Sequence, residues 1–241
     1  MSGGVGSRLR DGVRTLDLSA RLLLGRRWWI AIPLPLVWLA WQALRLVVGW
    51  REEGFEAVDA QTVLIGTPLL VLAIGLGVRV IAGEMDRRTL EIAWTIPGGS
   101  HRMWLSKLAA AAFVLAAAEL LLAAAVWAFF TEITVGALWG AYQGALVYLA
   151  LATWLAALFK SEATGAMVSM AVLVFNGLSI GFGSSPKRLS PLFNPLAVDD
   201  IAVSDLVAWT VQNRIGWVLG IAALVALALI RAERREVLLS G

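Results

Sequence analysis

The chain has no cysteine and only one histidine. Disulfide frameworks, thiolate metal sites and cysteine nucleophiles are thereby excluded. Lysine is nearly missing, with Lys107, Lys160 and Lys187 as its only representatives. Charge of either sign is scarce: Asp, Glu, Lys and Arg make up 15% of the 241 residues, against about a quarter in a soluble globular domain. No glycine is followed by lysine, so the G-x-x-x-x-G-K-[ST] phosphate loop is absent.

Apolar residues fill that space. They account for 59% of the chain, and the mean hydropathy is +0.78. Lipid is the natural solvent for runs this long and numerous. In hydrocarbon the backbone must satisfy its own hydrogen bonds, which leaves helices or the strands of a closed barrel. Barrel strands alternate in polarity over about ten residues, whereas these runs are continuously apolar. The sequence therefore predicts an all-α integral membrane protein.

A spanning helix needs about twenty mostly apolar residues. Six stretches qualify: 28–48, 63–82, 104–130, 136–159, 163–183 and 215–230. Pro33 and Pro35 predict an irregular start for the first. The last is short and has room to borrow residues before Arg214. The first stretch is longer than a signal-peptide core and no A-x-A-like cleavage site follows, so it is read as a span. Short connections leave no second soluble domain, and residues 28–241 form one six-helix transmembrane domain.

Orientation follows from the basic residues beside the spans. With the N-terminus inside, fifteen of the twenty Lys and Arg fall on the cytoplasmic side, and only Arg45, Arg51, Lys187, Arg188 and Arg214 fall outside. An even number of spans places both termini in the cytoplasm. The basic pI thus reflects membrane sidedness, and nucleic acid is not an expected partner. Within 1–27, Leu9, Val13, Leu16, Ala20 and Leu23 recur at helical spacing opposite Arg10, Arg14, Asp17 and Arg21. This pattern predicts an amphipathic helix lying in the cytoplasmic interface. Residues 184–213 are extracytoplasmic, either resting on the outer leaflet or dipping into it as a re-entrant segment.

The connection between spans two and three, 84–100, is the most informative stretch. It reads as a short amphipathic helix from about Asp86 to Thr95, stopped at Pro97-Gly98-Gly99, after which Ser100 can cap span three. A charged helix tied by short connections to two spans suits transmission of a push from a soluble partner. The pattern E-x-[DE]-R-x-T-L-E, then apolar residues, a Pro and a basic-apolar start to the next span, resembles the ABC-2-type transporter permeases. It stands here as Glu84, Asp86, Arg87, Thr89, Leu90, Glu91, Pro97, Arg102 and Lys107. The likeness extends to the amphipathic N-terminal helix, six spans, the short inner loop 159–162 and the basic tail 231–236. One departure stands at Arg88, where that family usually has glycine; arginine favours an unbroken helix there.

What this resemblance implies is a transport subunit of an exporter in a bacterial cytoplasmic membrane. Its partners would be membrane lipid, a second permease half, identical or homologous, and an ABC ATPase in two copies. ATP and Mg would belong to the ATPase, with no cofactor or catalytic residue in this chain. Glu84, Asp86, Arg87, Arg88, Thr89, Leu90 and Glu91 would couple to that ATPase, and parts of spans one, two and five would line a path for an amphiphilic substrate.

Polar residues at membrane depth are costly and therefore informative. Glu119 lies near the middle of span three, and with Gln42 and Asn176 it is a candidate for the translocation path. Interhelical hydrogen bonding is the competing reading for Gln42, Gln143 and Asn176. Arg79 can snorkel to the inner interface. Gly136, Gly140 and Gly144, and likewise Gly177 and Gly181, recur four apart and predict close helix approach. The twelve tryptophans fall largely near span ends, as an aromatic belt does. His101 stands alone in an inner loop without metal-ligand spacing. A membrane-embedded enzyme would need a polar constellation at depth, and the spans contain neither His nor Asp. An ATP-independent channel or a structural membrane subunit is the alternative, and neither would require the loop at 84–100.

Overall fold

The computed structural model describes residues 4–86, 100–179, 184–198 and 201–233. All regular structure among them is helical. The helices are α1 (Gly4–Leu24), α2 (Leu36–Val47), α3 (Thr67–Asp86), α4 (Ser100–Phe129), α5 (Val135–Phe159), α6 (Glu162–Ser179), the short α7 (Ser184–Leu189) and α8 (Val203–Glu233). Six helical stretches are long and apolar enough to cross a membrane: Trp28–Val47, Ala57–Met85, His101–Phe129, Val135–Phe159, Glu162–Ser179 and Val203–Glu233. This is the architecture of a multi-pass membrane protein.

Two irregularities have local causes. The first crossing opens with a 3-10 turn at Trp28–Ala31, and Pro35 then caps α2, because neither Pro33 nor Pro35 can donate a helical hydrogen bond. The second begins with a wide π-helical stretch, Ala60–Gly66, running into α3. Pro68 has no N–H, and its ring would clash with the carbonyl four residues back in a regular helix. The wide turn relieves this: the Thr67 N–H and hydroxyl both reach the Thr62 carbonyl, the latter at 2.8 Å. A Cβ at position 66 would lie 2.4 Å from the Gln61 carbonyl oxygen, so only glycine closes it.

The spine is the α3–α5 pair. In their most apolar windows the second and fourth crossings are 72% and 67% buried, against 11% for the fifth and the sixth. Lipid removes the hydrophobic drive between helices, leaving close packing and hydrogen bonds to hold them. Gly77 supplies the close approach, since a Cβ there would stand 2.5 Å from the Leu149 carbonyl oxygen, and the Thr153 hydroxyl donates to the Gly77 carbonyl at 3.1 Å. Gly165 does the same for α6, where a Cβ would lie 2.7 Å from Ala156.

The predicted glycine rows divide. Gly140 and Gly144 pack within the chain, against Gln61 with Arg214 and against Leu192 with Pro191. Gly136 and Gly177 meet no neighbouring helix closely, and Gly181 lies outside the described residues.

α1 packs on α4 and α3. Ser19, Ala20 and Leu23 are buried there, while Leu18 and Leu22 face outward. Part of the apolar stripe thus serves the bundle. Asp17 pairs with Arg21 at 2.9 Å and accepts the Trp28 indole N–H at 3.0 Å. The Arg21 hydrogen bond, helped by Trp28, holds the Asp17 carboxyl below its ordinary range.

The sixth crossing differs most from the expected span. α8 begins at Val203, not near 215, so Arg214 lies inside the helix. The apolar count stopped at that charge because the sequence did not show what receives it.

Candidate functional site

At one end of the bundle the charged side chains meet in pairs. Arg79 on α3 faces Glu162 at the start of α6 at 3.7 Å. Lys107 on α4 donates to Glu84 in the last turns of α3. His101 approaches Glu233 at 3.9 Å, and the Arg231 guanidinium donates to the carbonyls of Ala157 and Leu158. Lys160, at the α5–α6 reversal, adopts a left-handed backbone with φ 56°. This basic end is the one the arginine bias assigns to the cytoplasm.

The Glu84–Lys107 pair is the deepest of these. Lys107 is 1% exposed, and its ammonium lies 5.4 Å from the Trp104 ring centroid. A buried pair is costly to break from one side. It ties the last turns of α3 to the second turn of α4. These are the two stems of the connection 87–99.

Beside the stems runs an apolar groove of about 730 Å³. Val37 and Trp38 of α2 form one wall, Val71, Gly75 and Val78 of α3 its floor, and Ala163 and Ala166 of α6 the other wall. It extends from Thr67 and Pro68 to Arg79 and Glu162, a length of about 18 Å at 1.5 Å per helical residue. Its volume falls within the usual range of small-molecule sites. Gly83 keeps the charged end open for Glu162: a Cβ there would sit 3.0 Å from its carboxylate. An apolar slot ending in a cation and an anion suits an amphiphile, with the tail in the slot and the head at Arg79 and Glu162.

Among the described residues, the predicted site residues do not converge. Glu84 lies in the last turns of α3, and its carboxylate is engaged by Lys107. Asp86 closes α3, and Arg87, Arg88, Thr89, Leu90 and Glu91 lie outside the described residues. Gln42 is buried on α2 and accepts from Arg45 at 3.2 Å. Glu119 is buried on α4, with one carboxylate oxygen unpartnered among the described residues. Asn176 on α6 donates to the Ser190 hydroxyl at 3.1 Å. None of these three lines the groove.

A polar cluster at the opposite end has no counterpart among the sequence expectations. The chain between α7 and α8 turns inward, and Ser190, Phe193 and Asn194 are buried. Its carbonyls are claimed by side chains from several helices. Gln61 donates to the Phe193 carbonyl at 2.9 Å and Arg214 to the same oxygen at 3.1 Å. Asn213 donates to the carbonyls of Arg188 and Ser190, at 2.7 and 2.8 Å, and Asn194 to that of Val58 at 2.9 Å. Non-helical backbone among apolar helices needs such partners. Gln143 and Arg214 exchange hydrogen bonds at 2.6 and 3.2 Å. Among the described residues the Arg214 guanidinium therefore meets neutral acceptors only. The available signals were an arginine next to an apolar run and a glutamine just ahead of another.

No family model, no curated protein and no solved structure matches this chain.

Proposed function

We propose that the chain is the permease subunit of an ABC-2-type exporter of a bacterial cytoplasmic membrane. It forms a translocation path for an amphiphilic substrate with a second permease half, identical or homologous, and a separate ATPase drives it. The observation that supports this reading is where the pattern begins, at Glu84. It starts in the last turns of α3, beside the buried Glu84–Lys107 pair that fastens α3 to α4. A push on 87–99 cannot be absorbed by parting the two stems, so it passes into α3. That helix is both the floor of the groove and the partner of α5, and tilting it alters the groove. The apolar slot with its charged end supports an amphiphile as cargo.

The test is co-expression with a neighbouring ATPase gene, followed by co-purification and an export assay. We expect a complex that the double charge reversal Arg87→Glu/Glu91→Lys weakens at least tenfold, with loss of export. Export that survives the reversal, without a co-purifying ATPase, would leave the channel or structural-subunit reading standing instead.

A further inference from the structure

A second cavity lies on the other side of α6, enclosed by α5, α6, the turn after α7, and α8, with a volume of about 570 Å³. It shares no lining residue with the groove. Its walls are apolar, and none of the side chains lining it carries a formal charge. Two lining hydroxyls stand out. Tyr148 is 1% exposed, and its hydroxyl, with the Asn176 amide beside it, makes no hydrogen bond of good geometry among the described residues. Ser190 is 2% exposed. Its oxygen accepts from Asn176 at 3.1 Å and from the Leu192 N–H at 3.0 Å, so its own proton has no acceptor among the described residues. A buried donor left without an acceptor is costly, and protein interiors keep few of them.

We infer that this cavity binds an uncharged lipid whose head offers a carbonyl, ester or hydroxyl oxygen to Tyr148 and Ser190, with its apolar body between α5, α6 and α8. A charged head is disfavoured, because it would lose its hydration with no counter-charge to replace it. Water alone would satisfy the hydroxyls but not the apolar walls. The site is independent of the exporter reading and would hold for a channel as well.

The experiment uses the full chain in nanodiscs with three photoreactive probes of equal chain length: a diazirine monoacylglycerol, the matching fatty acid, and a diazirine alkane. Labelled peptides are mapped by mass spectrometry, with unlabelled monoacylglycerol as competitor. The neutral ester probe should label the stretches around Tyr148, Asn176 and Ala223 saturably, and the other two probes should not. Tyr148→Phe should lower that labelling about fivefold, the worth of one neutral hydrogen bond. Ala223→Trp, which fills the cavity from the lipid side, should abolish it and serves as the second variant if Tyr148→Phe does not fold. Equal, unsaturable labelling by the alkane would overturn the inference. So would saturable labelling that neither variant reduces, or preferential labelling by the carboxylate.

Discussion

Lys107 shows how a single side chain can tie two helices together. An ammonium that is 1% exposed survives in an apolar bundle only with its counter-charge in place. Glu84→Gln should therefore cost about 3–5 kcal/mol, read as a large fall in unfolding temperature in detergent micelles. The double variant Glu84→Gln/Lys107→Met should recover most of that loss, since it removes both charges. If single and double variants lose equally, the two residues are not coupled and the stems are not fastened this way. Only half of this relation was legible in the sequence. Both residues belong to the motif at 84–107, but its spacing gives no sign that they face each other. Arg214 failed differently. Its charge ended the predicted span because Gln143 and the Phe193 carbonyl, which receive it, come from elements distant in the chain.

At the scale of elements, glycine carries the close approaches and the contacts tell which ones matter. Gly77 and Gly75 are neighbours on α3. A Cβ at Gly77 would collide with the Leu149 carbonyl, whereas one at Gly75 meets nothing within 4 Å. Gly77→Ala should thus lose about 1–3 kcal/mol of stability through overpacking, and Gly75→Ala should lose nothing measurable in the same micelle assay. Equal behaviour of the two would contradict the α3–α5 spine. The six apolar helices were legible because hydropathy is a local property. The glycine rows were legible as a spacing, yet which of them meet a partner depends on tertiary geometry. The π-helical stretch at Ala60–Gly66 was not legible: Pro68 announces a break in hydrogen bonding, but not whether the chain kinks, stops or widens in response.

Over the whole molecule, a well-buried pair of helices stands among others that turn most of their surface outward. The fifth and sixth crossings expose large apolar residues such as Phe175, Leu178, Val218 and Leu219, as helices facing lipid do. The groove between α2, α3 and α6 lies between the spine and this looser shell. The exporter account requires the connection 87–99 to face the cytoplasm and to meet an ATPase there. Because the chain has no native cysteine, a single introduced thiol reports on this directly. Thr89→Cys should react with a membrane-impermeant maleimide in inverted vesicles, remain unreactive in intact cells, and become protected when the ATPase is bound. Labelling of Thr89→Cys from outside intact cells, or full reactivity in vesicles saturated with the ATPase, would contradict the account.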